Sequence, residues 1–269
     1  MILLKQRLDT ILVERGLFDS REKAKASVME GIVSVNGLKA YKAGTMTDVS
    51  ADITVKEDPC PYVGRGGLKL EKAMDFFDMD MTGAVTADIG ASTGGFTDCM
   101  LQHGARKVYA IDVGYGQLAW KLRKDPRVIN MEKTNARYLD CDRIPEPVDF
   151  ITIDVSFISV SHILAVATRL LADQGSIICL VKPQFEAGRD QVGKKGIIKD
   201  EEVHKEVIRK VIHYGEETGL AAAGLTFSPV KGAKGNIEYL LYMKKQDDCP
   251  AAGPDIDIDG VVGRSHEII

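Results

Sequence analysis

What this chain of 269 residues lacks narrows its possibilities before any motif is read. Its five cysteines, Cys60, Cys99, Cys141, Cys179 and Cys249, are odd in number, scattered and in no C-x-x-C pair. That pattern argues against a disulfide framework and a thiolate metal site, and it suits a reducing cytoplasm. The start, Met1-Ile-Leu-Leu-Lys-Gln-Arg, has neither the long apolar core nor the small-residue cleavage site of a secretory signal. No stretch approaches the roughly 18 uncharged apolar residues that a membrane-spanning helix needs. The expectation is a cytoplasmic protein with no bound metal and no membrane partner.

What is present suits one large domain and a small one, with an ordinary hydrophobic share of 45%. The net charge of −4 conceals an uneven distribution. Six acids and one arginine give residues 247–269 a net of −5, so the rest of the chain stands near +1. Between Lys5 and Lys42, eight basic residues face five acids. Local charge, not the average, decides whether a surface can meet phosphates.

Residues 1–58 read as a module of their own. Leu8, Ile11 and Leu12 have helical spacing that Gly16 ends, and Asp19-Ser-Arg-Glu22 resembles a capping box for a second helix, Arg21–Met29. Ile32–Val35 and Asp52–Val55 read as strands, and Asn36-Gly37 is a strong hairpin signal. Prolines and glycines punctuate a linker over residues 59–67. From 68 to 245 the pattern is βα repetition. Strands are expected near 84–88, 107–112, 128–131, 150–154, 176–182, 222–227 and 239–244, and helices near 68–75, 96–103, 117–123, 160–171 and 202–217. The last two strands have no helix between them, so an antiparallel hairpin closes a mostly parallel sheet. That is the α/β, Rossmann-like architecture of class I methyltransferases. The acidic segment 246–269, poor in large apolar residues, is expected to be disordered.

The segment Asp88-Ile-Gly-Ala-Ser-Thr-Gly-Gly95 follows an apolar run and precedes a helix, so it can bring backbone N–H groups against a nucleoside cofactor. Its D-x-G-x-x-x-G spacing differs from the G-x-G-x-x-G of dinucleotide folds and is the S-adenosylmethionine pattern. Asp88, Gly90, Ser92, Thr93, Gly94, Gly95 and Phe96 are the candidate cofactor residues, and Asp112, ending the second strand, is placed to accept both ribose hydroxyls. A turn serving only tight βα packing is the alternative. Gly188-Arg-Asp-Gln-Val-Gly-Lys194 matches most of a Walker A loop, but Lys195 replaces the Ser or Thr that holds magnesium. A basic loop touching RNA phosphates through Arg189 fits better, and a merely solvated loop fits equally well.

Lys69, Asp154, Lys182 and Glu238 each stand at the edge of an apolar run, and such run-ends meet along one edge of an open α/β sheet. Asp154-Val-Ser-Phe lacks the Asn/Asp-Pro-Pro-Tyr of enzymes that methylate exocyclic base nitrogens, and no cysteine is placed to attack a cytosine ring. The acceptor should need neither a base-clamping aromatic nor a thiol, and a ribose hydroxyl fits. These four residues resemble the Lys-Asp-Lys-Glu tetrad of FtsJ-type ribose 2′-O-methyltransferases. Arg7-Leu-Asp, Arg15-Gly, Ser20-Arg and Gly31-Ile-Val-Ser-Val-Asn-Gly37 resemble the core of the S-four-type RNA-binding domain, a small αL fold. Together, and with Phe227-Ser-Pro-Val-Lys-Gly-Ala-Lys-Gly-Asn-Ile-Glu238, they are similar to the TlyA family of ribosomal RNA methyltransferases, which also carries the haemolysin A name.

The resemblance implies 2′-O-methylation of cytidines in 16S or 23S rRNA, a linker tied to cofactor binding (here Cys60-Pro-Tyr-Val63), and rRNA or ribosomal subunits as partners. The tetrad would then divide its work. A free lysine, with a pKa of about 10.4, is a weak base at neutral pH. Lys182 is expected as the base and Lys69 as the group positioning the substrate, while Asp154 and Glu238 orient the lysines and balance their charge. Ion pairs without a catalytic role are the alternative. Arg7, Arg15, Arg21, Lys23, Lys39, Lys42 and Arg65, with Arg189, are the candidate RNA contacts, although basic helices are in isolation more often a solvated face. Two rivals stand beside this reading. One is a ribosome assembly factor with an inactive methyltransferase fold, which intact motifs oppose. The other is a membrane-lytic haemolysin, for which no segment provides. Neither the target nucleotide nor the oligomeric state is written in the sequence.

Overall fold

A computed structural model of the chain describes residues 4–18, 20–29, 31–55, 60–188, 190–193, 196–248 and 255–269, in two compact units, Met1–Pro61 and Tyr62–Ile269. In the first unit, strand β1 (Lys5–Arg7) runs into helix α1 (Leu8–Glu14), and helix α2 (Arg21–Met29) follows. Leu8 and Leu12 lie four residues apart, as do Ala24 and Val28, so each helix offers one apolar stripe. The stripes close on Val33 and Ala43 to make a small core. Asn36 and Gly37 take φ of +49° and +78°, which a type I′ turn requires, and join β2 (Val33–Val35) to β3 (Leu38–Lys39). Strand β4 (Met46–Asp48) pairs with β1, and β5 (Ile53–Val55) pairs with the free side of β2. Asp19, the proposed first residue of the capping box, lies outside the described residues.

The second unit begins with helix α3 (Gly66–Phe77) and strand β6 (Val85–Ile89). Helix α4 (Gly95–Gln102), strand β7 (Lys107–Ile111), helix α5 (Trp120–Arg123), strand β8 (Val128–Met131) and strand β9 (Val148–Ile153) follow. Helix α6 (Ser161–Leu170), strand β10 (Leu171–Val181), helices α7 (Pro183–Glu186) and α8 (Glu201–Glu216), and strands β11 (Leu220–Phe227) and β12 (Tyr239–Lys245) complete the repeat. The described residues form a seven-stranded sheet in the order β11-β12-β10-β9-β6-β7-β8. All pairs from β10 to β8 are parallel, and β12 is antiparallel to both its neighbours. Buried aliphatic side chains such as Ile89, Ile151, Ile153, Leu164 and Ile177 fill the contact between sheet and helices.

From β6 the chain moves outward to β7 and β8, then crosses back to β9 and β10 on the other side. The order reverses between β6 and β9, and in open α/β sheets ligands bind in the crevice at such a point. Register sets what stands there. Ile89 is level with Ile153, Ile153 with Cys179, and Val181 with Tyr239. Asp154, Lys182 and Glu238 each flank one of these residues, and β12 runs opposite to the others, so its first residue lies at their C-terminal ends. The four strand ends put Glu238, Lys182, Asp154 and the turn after Asp88 side by side.

Two expectations need correction. The segment 246–269, expected to be disordered, instead carries helix α9 (Ile258–Ile268), which packs on α8 and β11. Asp257 caps it by accepting from the Gly260 N–H at 2.8 Å, and Val261 and Val262 are buried in the main core. Ile256, Ile258 and Ile269 pack against the same core, and polar contacts join them: the Ser265 hydroxyl meets that of Tyr239 at 3.0 Å, and His266 Nε2 lies 3.2 Å from buried His204. A few aliphatic side chains suffice because hydrogen bonds complete the contact. The helix expected over 117–123 is confined to Trp120–Arg123. The N–H groups of Gln117 and Leu118 donate to the Glu132 carboxylate, so a tertiary partner takes the donors that would have opened the helix.

Candidate active site

Asp88 is the penultimate residue of β6, and its carboxyl is 1% exposed. Oδ2 accepts from the Thr97 N–H (2.9 Å) and hydroxyl (2.7 Å), and Oδ1 accepts from the Thr152 hydroxyl (3.1 Å). Burial is the dominant influence on this acid and, with the nearby charge of Asp154, it outweighs the three donors and pushes the group up to about 7. Gly90 follows with φ +93°, and a Cβ there would fall 2.3 Å from the Asp154 carbonyl oxygen. Only glycine lets this turn lie against the end of β9. Asp112 follows β7 and ties two turns together, with Oδ2 accepting from Ser92 N–H (2.8 Å) and Oδ1 from Gly114 N–H (2.6 Å).

Two cavities open at this edge. One, of about 250 Å³, is walled by Asp88, Gly90, Ser92, Thr93, Gly95 and Phe96, with Lys69, Arg65 and Asp154 across from them. The other, of about 540 Å³, has Asp112, Asn135, Ala136 and Phe157 on its wall. Gly90, Ser92 and Asp154 border both cavities. Of the residues expected to hold a cofactor, Gly94 is on neither wall; it precedes α4, beside Leu122. Asn135 and Ala136 carried no recognisable signal in the sequence, because they open a single short 3-10 turn after β8, too brief to show a period.

The four candidate catalytic residues form two ion pairs, buried except for the partly open Asp154. Lys69 Nζ lies 2.6 Å from Glu238 Oε2, and Lys182 Nζ lies 2.5 Å from Asp154 Oδ1. Lys69 and Asp154 share the smaller cavity, and this brings the pairs to one place. Lys182 sits behind Asp154 and also donates to the Ser156 hydroxyl at 2.9 Å. Glu238 is enclosed by the loop after β11. A Cβ on Gly232 would stand 1.8 Å from its Oε1, so the loop must be bare of side chain where it crosses the acid. Ser156 and Gly232 both lie inside segments that the sequence singled out, but neither spacing nor periodicity marks them.

In the first unit, Arg7 and Arg21 converge on Asp9 at 2.7 and 3.1 Å. Hydrogen bonding from Arg7, then from Arg21, holds the buried Asp9 carboxyl well below the usual carboxylate range. Arg15 donates to the carbonyls of Val49 and Ala51, which fastens the end of α1 to the strand-bearing segment. These arginines thus have structural duties, with about half of the Arg7 and Arg21 side chains still open to solvent. Lys39 and Lys42 are exposed beside Tyr41. Arg65 is exposed on the rim of the smaller cavity of the second unit. The side chain of Lys23, and Arg189 with the rest of its loop's cations Lys194 and Lys195, lie outside what the structure describes.

A family model described as FtsJ-like methyltransferase matches residues 62–245, and an S4 domain model matches residues 6–53. Among relatives, YqxC of Bacillus subtilis is 48% identical over 272 residues, covering 98% of this chain and 95% of its own. The 16S/23S rRNA (cytidine-2′-O)-methyltransferase TlyA of Mycobacterium tuberculosis is 41% identical over 245 residues, 91% of each chain. A solved structure from Streptococcus thermophilus, under the hemolysin name, is 44% identical with a TM-score of 0.77, covering 99% of this chain and 97% of that one.

Proposed function

The chain belongs to the TlyA family of FtsJ-like methyltransferases, and we propose that it transfers a methyl group from S-adenosylmethionine to a ribose 2′-hydroxyl of ribosomal RNA, with a cytidine of 16S or 23S rRNA as acceptor. The observation that carries this reading is the meeting of the Lys69–Glu238 and Lys182–Asp154 pairs at a cavity walled by the Asp88–Phe96 turn. The same reading puts the protein in the cytoplasm with ribosomes. Among the described residues, no helix is long and apolar enough to cross a membrane.

The residues fit the cofactor. A buried acid with no cation on it among the described residues, Asp88, suits an ammonium; the side-chain-free backbone at Gly90 admits close approach; and Asp112 on the wall of the larger cavity suits ribose hydroxyls. When bound, S-adenosylmethionine supplies an electrophilic methyl group on a sulfonium. The protein's own part concerns the acceptor. A 2′-hydroxyl is a poor nucleophile until its proton is removed, so Lys69 would direct the oxygen from the cavity wall. Lys182, in its neutral amine form, would take the proton as the O–C bond forms, and Asp154 would balance the resulting ammonium. Glu238 would keep Lys69 pointed at the cavity.

Methyl transfer from labelled S-adenosylmethionine to purified ribosomal subunits tests the reading. The label should appear in an alkali-resistant ribose 2′-O-methyl nucleotide of digested rRNA. A methyl group on a base would overturn the reaction class, and saturable ribosome binding without transfer would favour an assembly factor.

Asp88 adds a prediction about pH. With its folded value pushed up to about 7, the free site holds a proton at pH 6 that an incoming ammonium would displace. Affinity for S-adenosylmethionine should therefore fall as pH drops below about 7 and level off above it. Calorimetry in buffers of differing ionisation enthalpy should show proton release on binding near pH 6.5. Asp88→Asn should weaken binding and erase the pH dependence. Flat affinity between pH 5.5 and 8 in the unaltered protein would show that Asp88 does not face the ammonium.

A further inference from the structure

Two short segments meet beside Lys182, and they are joined at both ends. One is the loop that follows β9, residues 154–160; the other is the turn of helix from Lys182 to Glu186. At the near end, Lys182 Nζ meets Asp154 and donates to Ser156 Oγ at 2.9 Å. At the far end, Glu186 is 4% exposed and receives two hydrogen bonds from the loop. The Ser159 hydroxyl donates to Oε2 and the Val160 N–H to Oε1, each at 2.8 Å. Between these ends Phe157 is 90% exposed and held at φ +64°, a conformation costly for a residue with a bulky side chain. Its ring lies 5.0 Å from that of Phe185, on the opposing turn.

The mechanism above uses Lys182 and Asp154 but gives no role to Ser156 or Glu186. A buried glutamate is expensive unless its oxygens are occupied, and here both are occupied by the same loop. Pro183 opens the turn with its fixed φ, so Lys182 and Glu186 are locked one helical turn apart. A loop fastened at residue 159–160 and strained at 157 has little freedom left at 156. We propose that Ser156 and Glu186 are positioning residues for the methyl-transfer reaction: Glu186 latches the 156–160 loop to the turn that bears Lys182, and the latched Ser156 hydroxyl fixes the direction of the Lys182 amine. Asp154 alone leaves Nζ free to swing about one contact. The second acceptor, held from a distance by Glu186, removes that swing and leaves the remaining direction for the acceptor hydroxyl.

This inference rests on the methyltransferase reading, and the test separates the two. Ser156→Ala should lower kcat about 10- to 100-fold, the scale of one lost hydrogen bond to a charged group, with KM for S-adenosylmethionine and for ribosomal subunits unchanged. Ser156→Thr, which keeps the hydroxyl, should recover most of the rate. Glu186→Ala should lower kcat similarly, and the double variant should be no worse than either single one, because the latch acts through Ser156. Unchanged kcat in Ser156→Ala, or additive losses in the double variant, would overturn the proposal. Lysine-selective nitrogen NMR reads the hold on Lys182 without turnover. A Lys182 amine signal present in the unaltered chain should broaden in Ser156→Ala and in Glu186→Ala, and an unaltered signal in both would equally refute the latch. A wild-type chain that transfers no methyl to ribosomes would instead refute the proposed function, with the NMR result still deciding the latch.

Discussion

Lys182→Ala should lower methyl transfer by about 10²–10⁴-fold, the usual contribution of a general base, while S-adenosylmethionine and ribosomal substrate still bind. The separation follows from where Lys182 sits. It stands behind Asp154 and on neither cavity wall, so its removal leaves the Asp88–Phe96 turn and Asp112 in place. Lys182→Arg should fail as well, because a guanidinium stays protonated and cannot accept the hydroxyl proton. Truncation also strands Asp154 beside a space that held its counter-charge, and unpairing a buried ion pair destabilises the fold. Asp154 is partly open to water, which softens that penalty. Thermal midpoints measured beside the rates separate the two effects, and a Lys182→Met control fills the volume without the amine. Asp154→Ala and Glu238→Ala should cost rate too, with double variants losing much less than the sum of the single losses, since residues acting as one unit lose their function together. An active Lys182→Arg enzyme would show that the lysines only hold the hydroxyl in place.

The pairing within that tetrad marks the limit of what the sequence could show. Asp88, Gly90 and Asp112 are legible because their signals are local: an apolar run, a glycine turn, an acid where the run ends. Lys69 and Glu238 are 169 residues apart, and only their places at the edges of apolar runs, joined to a family pattern, brought them together. Neither run lengths nor charge could say that Lys69 joins Glu238 while Lys182 joins Asp154; strand order and register decide it. Helix α9 was missed for a different reason. Its composition suggests a chain with too little to bury, yet Val261 and Val262 enter a core that other elements have already built. The polar links of Ser265 and His266 to Tyr239 and His204 depend on partners 26 and 62 residues upstream. Ser156 and Glu186 have the same character. Each is an ordinary polar residue in sequence, and each gains meaning only when β9 and β10 lie side by side.

Removing residues 1–58 should leave S-adenosylmethionine binding in the remaining chain and bring methylation of ribosomal subunits below detection. The cut must spare the linker residues Cys60 to Val63. The Tyr62 hydroxyl donates to Glu71 at 2.6 Å and the Val63 N–H to Asp98 at 2.8 Å, so both belong to the fold that walls the cofactor cavity. The first unit has its own core, and its basic residues divide by duty. Arg15 fastens backbone carbonyls, so Arg15→Ala should unsettle that unit itself. Lys39 and Lys42 are exposed on and just after β3. If they meet phosphates, Lys39→Ala with Lys42→Ala should weaken rRNA binding at every sequence tested and reduce the slope of log affinity against log salt by about two. Circular dichroism should show that variant still folded, which separates lost contacts from lost structure. A catalytic unit lacking residues 1–58 that methylates ribosomes at the full rate would overturn the division of labour, because affinity and register would then come from the second unit alone. The salt slope of the full chain decides the same question from the other side: a shallow slope would mean that few phosphates are neutralised, and the first unit's cations would be a solvated face.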